Sequence, residues 1–157
     1  MPTSHLDAID RRLLKALQSN ARMPNAELAK LVGLSPSPCL RRLKILENKG
    51  IIDRYVALLD QEQVGLPVSV FISIKLESQH EDALEKFEAE IKSYDEVLEC
   101  YLMTGQRDYL LRVVAQDLRA YERFLKDKLT RIDGVASIES SFALSQVKYT
   151  NSLPLPV

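Results

Sequence analysis

The residues most able to do chemistry lie between Gly33 and Lys44, in the run GLSPSPCLRRLK. At helical spacing, one face of this run and its continuation carries small polar and cationic side chains: Ser37, Arg41, Lys44 and Asn48. The opposite face carries apolar ones: Leu40, Leu43 and Leu46. A helix of this kind can enter a DNA major groove with its polar face while the other face packs on a domain. A solvated amphipathic surface helix is the alternative.

Small and cyclic residues mark the ends of this helix. Gly33 can end a preceding helix in the left-handed conformation, and Gly50 can end this one. Ser35 can cap the first turn, and Pro36 suits the first position because the N–H that proline lacks is not needed there. These signals predict a helix entered through a tight turn.

Two further helices are predicted upstream. Asp7 can cap the first, which runs to about Asn20 and has apolar positions at Ile9, Leu13, Leu14 and Leu17. Asn25 can cap the second, whose inward positions are Leu28, Leu31 and Val32. Because a Gly-Leu turn joins the last two of the three helices, they are predicted to form a helix-turn-helix. The β-branched run Ile51–Leu59 then predicts a short strand or wing.

Charge is divided unevenly along the chain. Residues 1–60 hold ten Lys and Arg against six Asp and Glu, a net charge of +4, and the total of −1 leaves −5 for the remainder. A basic segment is expected where a protein meets phosphate. The division therefore favours double-stranded DNA as the partner of the N-terminal helices.

Composition excludes several other classes of protein. With 46% hydrophobic and 27% charged residues the chain is globular, and no run approaches the roughly 18 apolar residues of a membrane helix. The start MPTSHLDAIDRR lacks the apolar core of a signal peptide, which favours a cytoplasmic location. Cys39 and Cys100 are expected as reduced thiols, and neither they nor His5 and His80 have the neighbours of a metal site. No nucleophile–base set is visible, so we expect neither catalysis nor a cofactor.

The hydrophobic period changes after a connector, QEQVGLP, at residues 61–67. Alternation predicts a strand at 68–76, helical spacing a helix at 80–94, and a turn joins predicted strands at 97–103 and 108–115. A helix capped by Asp117 follows, with its apolar stripe at Leu118, Tyr121, Leu125 and Leu129, and then a strand at 135–149.

This order predicts an α+β chain. A three-helix winged helix-turn-helix domain is expected at 1–60, with a linker strand at about 51–66, and a ferredoxin-like βαββαβ domain for effector binding and oligomerisation at 67–150. Residues 151–157 are expected to form a tail.

One face of the predicted sheet has no helix to cover it. Alternation in the strand at 97–103 divides its residues between two faces, with Leu98, Cys100 and Leu102 on one and Val97, Tyr101 and Met103 on the other. Phe71, Tyr101 and Met103, with parts of the strands that end near Ala115 and Tyr149, would expose an apolar patch that monomers rarely tolerate, so we expect a homodimer. Cover by the C-terminal tail, NSLPLPV, is the alternative.

Four ordered blocks of the chain resemble the Lrp/AsnC family of bacterial and archaeal regulators: LSPSPCLRRLKILE, YVALLD, LMTGQRDYLLRV and SSFALSQVKYTNSLPL. The resemblance covers nearly the whole chain. It implies a sequence-specific DNA-binding transcriptional regulator whose assembly and DNA binding respond to a small effector, commonly an amino acid. It also implies dimers that assemble into tetramers or octamers. An effector-independent protein of the same fold that coats DNA is the alternative.

The resemblance assigns candidate DNA-binding residues. The segment that matches the family's recognition helix supplies them: Ser35, Ser37, Pro38, Arg41, Arg42 and Lys44. Arg41 or Arg42 is the candidate for a forked contact to guanine, while the serine hydroxyls and Lys44 suit phosphate.

The family's effector motif, a glycine followed three residues later by Asp-Tyr, matches TGQRDY. Asp108 is expected to pair with an α-ammonium group and Thr104 to bond the carboxylate end. A hairpin turn with Asp108 bonded to its own backbone is the alternative. Gln106-Arg107 departs from the common pattern, and the Arg107 cation either attracts an effector carboxylate or faces solvent. The effector candidates are Thr104, Gly105, Asp108, Tyr109, Ser140 and Ser141, the serines lying where relatives contribute to a neighbouring subunit's site.

Overall fold

The computed structural model describes residues 6–156, which form two compact units. The first unit contains the chain up to residue 58 and again from residue 148, and the second contains residues 59–147. No helix in the described range is long and apolar enough to cross a membrane. His5 lies outside that range.

The first unit is built on three helices: α1 (Ala8–Ser19), α2 (Asn25–Val32) and α3 (Pro36–Asn48). Asp7 caps α1 as predicted, because its carboxylate accepts a 2.8 Å hydrogen bond from the Asp10 amide. Gly33 ends α2 at φ 75°, a conformation that favours glycine. Pro36 is the first residue of α3. The predicted helix-turn-helix is therefore confirmed.

The inner sides of these helices form one core, whose buried members are Leu13, Leu14, Ala16, Leu17, Leu28, Ala29, Val32, Cys39 and Leu46. The prediction was wrong for Leu31 and Leu40, which are 51% and 41% exposed. On α2 the buried face includes Ala29, and on α3 it includes Cys39. Because consecutive residues of a helix are about 100° apart, Leu40 is turned away from the face that contains Cys39.

Three local predictions for this unit are wrong. Asn25 is the first residue of α2, and Pro24 takes the cap position. Ser35 occupies the cap position of α3, but its side chain makes no capping hydrogen bond. Residues 51–59 form no strand in the described structure, because a strand needs a backbone partner and none pairs with them there. Val56, Leu58 and Leu59 consequently stay exposed.

The second unit is a four-stranded antiparallel sheet with two helices: β1 (Val68–Leu76), α4 (Glu81–Lys92), β2 (Val97–Leu102), β3 (Tyr109–Ala115), α5 (Leu118–Asp127) and β4 (Val135–Phe142). The order across the sheet is β2-β3-β1-β4, the predicted ferredoxin-like arrangement. One sheet face packs against both helices, and its Ile72 and Leu111 are fully buried with Phe87 of α4.

The last strand is shorter than predicted. β4 ends at Phe142 rather than at Tyr149, and residues from 148 onward belong to the first unit. On the sheet face away from the helices, the open face, Phe71 and Tyr101 are 40% and 53% exposed.

A β-bulge changes the predicted faces of β2. The pairing register shifts between Val97 and Glu99, so Val97 pairs with Val113 and lies on the helix-covered face together with Cys100. On α5, Leu118 is 63% exposed rather than part of the apolar stripe.

Candidate DNA-binding and effector-binding sites

The outer face of α3 presents most of the predicted DNA-binding side chains to solvent. Ser35, Ser37, Arg41 and Lys44 are exposed, while Pro38 in the first turn is half-buried. The Arg41 guanidinium can donate two parallel hydrogen bonds to the edge of a guanine, and the hydroxyl and ammonium groups can bind phosphate. This face has the shape and chemistry to enter a major groove.

Arg42 differs from Arg41 because its guanidinium is bound within the domain. Its Nη1 lies 2.6 Å from Oδ2 of Asp7 and 3.0 Å from Oδ1 of Asp10. Hydrogen bonding from the Asp10 amide, and then from Arg42, lowers the pKa of the Asp7 carboxyl. The three side chains join α3 to the first turn of α1.

A second side chain joins α2 to α3. The Asn25 amide Nδ2 donates a 2.8 Å hydrogen bond to the carbonyl oxygen of Pro36, in the first turn of α3. The sequence assigned Asn25 to a cap, and its local pattern carries no signal for a bond to a residue on the next helix. The recognition helix is thus held in its first turn by Asn25 and near its middle by Arg42.

The turn between β2 and β3 carries the first effector candidates. The Met103 amide donates to the carbonyl oxygen of Asp108 at 2.8 Å, which closes a hairpin. Its tip, Thr104–Arg107, is exposed. Gly105 has φ +102°, where a side chain is strained. The tip therefore offers backbone groups, a hydroxyl and a guanidinium to a ligand.

Asp108 follows this tip, but its carboxylate is bound inside the protein. The residue is 6% exposed. Its Oδ2 accepts from the Leu76 amide at 2.7 Å and its Oδ1 from the Gln79 side chain at 2.9 Å, with Lys75 Nζ at 3.6 Å. The structure therefore shows neither the expected free carboxylate nor the alternative bond to its own backbone. Asp108 instead braces the hairpin against the end of β1.

Tyr109 and Ser140 also face the helices. Tyr109 is 1% exposed and donates its hydroxyl to Glu88 at 2.8 Å, and burial raises the pKa of that hydroxyl. The Ser140 hydroxyl hydrogen-bonds that of Tyr121. Ser141 is exposed on the open face, because successive residues of a strand point to opposite faces. The two serines thus belong to different surfaces.

A cleft of about 370 Å³ beside the edge strand β2 was missed by sequence analysis, since alternation does not predict concavity. Its walls include Glu88 and Lys92 of α4 and Leu98 and Cys100 of β2. Burial, and then the nearby Glu88, raises the pKa of the Cys100 thiol to about 11, so this sulfur is protonated at neutral pH. In the described residues no group of His, Cys, Asp or Glu could hold a metal ion.

Comparison with known proteins matches both units. The profile of the Lrp/AsnC ligand binding domain matches residues 69–153, and that of a winged helix-turn-helix DNA-binding domain matches residues 6–53. The Bkd operon transcriptional regulator of Pseudomonas aeruginosa is 45% identical over 152 residues, covering 97% of this chain and 99% of that protein.

Solved structures agree with these matches. A transcriptional regulator from Neisseria meningitidis, solved as a complex with L-Met, superposes with a TM-score of 0.91 at 45% identity, covering 96% of this chain and 97% of that one. E. coli AsnC superposes with a TM-score of 0.88 at 32% identity, covering 94% of this chain and 98% of that one. The curated relatives are transcriptional regulators and not enzymes. The chain belongs to the Lrp/AsnC family of DNA-binding transcriptional regulators.

Proposed function

We propose that the assembly and DNA binding of this regulator respond to a free amino acid held at the tip of the β2–β3 hairpin. The observation that carries the proposal is the division of the hairpin into an exposed tip, Thr104–Arg107, and a buried brace, Asp108. Such a tip can meet a ligand while the brace keeps its shape. The neisserial relative bound to L-Met supports an amino acid as the ligand class.

The tip offers complementary groups to both ends of an amino acid. The ligand carboxylate suits the Arg107 guanidinium, the Thr104 hydroxyl and the amide groups around Gly105. The ligand ammonium suits main-chain carbonyl oxygens, because the Asp108 carboxylate already accepts two hydrogen bonds. In this proposal Asp108, Tyr109 and Ser140 do not contact the ligand. They hold the strands beside the hairpin tip in position.

We propose that a second copy of the chain packs against the open sheet face. Phe71, Tyr101 and Met103 are 40%, 53% and 38% exposed there. Burying this apolar surface against its counterpart would give a homodimer, and Ser141 would then lie at the subunit interface. Assembly of dimers into tetramers or octamers is proposed to be the step that the effector shifts, which requires that the effector bind one assembly better than the other.

On the first unit, we assign reading of the DNA sequence to Arg41. Arg41 is exposed on the outer face of α3, whereas the Arg42 guanidinium is bound to two carboxylates. The phosphate contacts are assigned to Ser35, Ser37 and Lys44, which fix the register of the helix on the duplex.

A thermal-shift screen of the twenty amino acids tests the effector proposal. A ligand at 100 times its Kd stabilises the folded state by about 2.7 kcal/mol, which is readily seen as a higher melting temperature. At least one amino acid is expected to stabilise the wild-type protein and Lys86→Ala, a control on the exposed side of α4, but to stabilise Arg107→Ala much less. If no amino acid at millimolar concentration shifts the melting temperature, the proposal is wrong and an effector-independent DNA-coating protein is favoured.

A further inference from the structure

The C-terminal segment of the described chain lies on the first unit. Residues from 148 onward group with the helix-turn-helix, although the chain has passed through the whole sheet unit in between. We call residues 151–156, NSLPLP, the strap. The chain therefore leaves the DNA-binding unit at residue 58 and enters it again at residue 148.

Polar contacts hold the strap on α1. The Gln18 side-chain amide accepts from the Leu153 N–H at 2.5 Å and donates to the Leu153 carbonyl at 3.1 Å, as a neighbouring β-strand would. About two turns earlier on α1, the Arg11 guanidinium donates to the carbonyl oxygen of Pro156 at 2.7 Å. Because these bonds go to main-chain atoms, they recognise the peptide backbone rather than a particular side chain. Within the strap, the Leu155 amide donates to the Leu153 carbonyl oxygen at 2.9 Å, which makes a tight turn at Pro154.

One apolar contact supplies the sequence preference. Leu155 is half-buried and packs on the core of the three helices, whereas Leu153 is 69% exposed. Pro154 and Pro156 flank Leu155 and restrict the backbone, which lowers the entropy lost when the strap is ordered.

We propose that α1 carries a binding surface for a proline-flanked leucine peptide with a tight turn, that the chain's own strap occupies it, and that the strap thereby restrains the DNA-binding unit. If only the linker after residue 58 held the DNA-binding unit, that unit would lose more orientational freedom on binding DNA. The strap is a second connection, so less freedom remains to be lost. The strap therefore strengthens operator binding without touching DNA. This inference goes beyond effector control, and its test needs no effector.

The first experiment uses the full chain. Leu155→Asp places a charge on the helix-turn-helix core and Gln18→Ala removes both bonds to Leu153, while Leu144→Asp is the matched control because Leu144 is 99% exposed. Hydrogen exchange of the α1 amides is expected to be about tenfold faster in the first two variants and unchanged in the control. Unchanged exchange in both strap variants would overturn the proposal.

The second experiment asks whether the strap acts as a ligand. The full chain carrying Leu155→Asp, whose own strap is weakened, is mixed with a synthetic peptide of residues 148–157, or with the same peptide carrying Leu155→Asp. Only the unaltered peptide is expected to slow α1 exchange. If neither peptide slows exchange, the surface is not a peptide-binding site.

A DNA-binding measurement shows whether the strap also affects operator affinity or only stabilises α1. Against a duplex selected by the wild-type protein from a random pool, Leu155→Asp is expected to bind about tenfold more weakly than Leu144→Asp. Equal affinity, with faster α1 exchange in Leu155→Asp, would contradict the claim that the strap restrains the unit for DNA binding.

Discussion

The Arg42 guanidinium of the recognition helix lies 2.6 Å from the carboxylate of Asp7, the residue that caps α1. One carboxylate thus caps the start of the first helix and anchors the third. The adjacent Arg41 projects about 100° away around α3 and stays exposed. Two consecutive arginines of the same chemistry are therefore assigned different tasks by their positions on one helix.

Replacing each arginine by alanine should separate these tasks. Arg41→Ala is expected to lose about 1–3 kcal/mol of discrimination at one base pair, because a forked contact to guanine is removed. Its unfolding free energy should not change, since the side chain is exposed. Fluorescence anisotropy with the selected duplex and single-base variants of it measures the discrimination.

Arg42→Ala should act through stability. Loss of its two carboxylate contacts is expected to lower the unfolding free energy by about 1 kcal/mol, as for other partly exposed ion pairs. Binding to matched and mismatched duplexes should weaken alike. A selective loss of discrimination in Arg42→Ala, with Arg41→Ala unaffected, would reverse the two assignments.

Asp7 gives a pH-dependent prediction. Its folded-state pKa is lowered, so its ionised form contributes stability above its ordinary pKa of about 4, and that contribution is lost as the pH falls through the lowered value. Asp7→Ala should cost about 1 kcal/mol at neutral pH because the helix cap is lost. Asp7→Asn keeps a capping oxygen and should cost less at neutral pH.

Urea unfolding of the three proteins between pH 3 and pH 7 provides the measurement. The difference between the wild type and Asp7→Asn should shrink as the pH falls. A difference that grows on acidification would mean that Asp7 does not stabilise the protein through its charge.

The sequence predicted the helix-turn-helix because its signals are local. Asp7, Gly33 and Pro36 each specify a helix end by their own chemistry, and all three are found at helix ends. The Arg42 contact could not be predicted in this way, because Asp7 lies 35 residues away and only the packing of α3 on α1 brings the two together.

Gly105→Ala should disturb the backbone of the hairpin tip without a steric clash between the new methyl group and other residues. At φ +102° the new methyl group meets no atom within 4 Å, so the cost is backbone strain of about 1 kcal/mol or more. Because the strain is relieved by moving the tip, amino-acid binding should weaken as well. Calorimetric titration with the amino acid found by thermal shift measures the effect, and Gly65→Ala, in the connector at φ +80°, is the control at another positive-φ glycine. Equal affinity in both variants would remove the tip from the binding site.

Phe71→Lys should dissociate the proposed dimer. The substitution places a cation on the open sheet face beside Arg112, its cross-strand partner. Leu118→Lys is the control, since Leu118 is 63% exposed but lies on α5. Sedimentation velocity should show a smaller species for Phe71→Lys alone. An unchanged sedimentation coefficient would mean that another surface joins the subunits.

Cys100 should react slowly despite lying beside a cleft. With a pKa of about 11, its thiolate is scarce at pH 8, so labelling by a disulfide reagent should be roughly a hundredfold slower than for an ordinary thiol. The urea-unfolded chain is the internal control and should react at the ordinary rate. Rapid labelling of the folded protein would contradict the raised pKa.

The candidate effector site shows what a sequence motif cannot predict. Spacing located the hairpin tip correctly between two strands, but it could not tell which side chains point outward. Asp108 faces inward because the Leu76 amide at the end of β1 needs an acceptor, and that partner is set by sheet pairing rather than by local sequence. Ser140 and Ser141 were assigned to one site from the family resemblance, although adjacent residues of a strand point to opposite faces.

The most direct test follows assembly and DNA affinity in the same titration. The wild-type protein and Arg107→Ala are mixed with the selected duplex and increasing L-methionine, or whichever amino acid gives the largest thermal shift, and examined by sedimentation velocity and anisotropy. For the wild type, the assembly size and the operator affinity are predicted to change together over one range of ligand concentration, and for Arg107→Ala that range should move to higher concentration. An operator affinity that stays constant while the amino acid saturates the protein would contradict effector control of DNA binding.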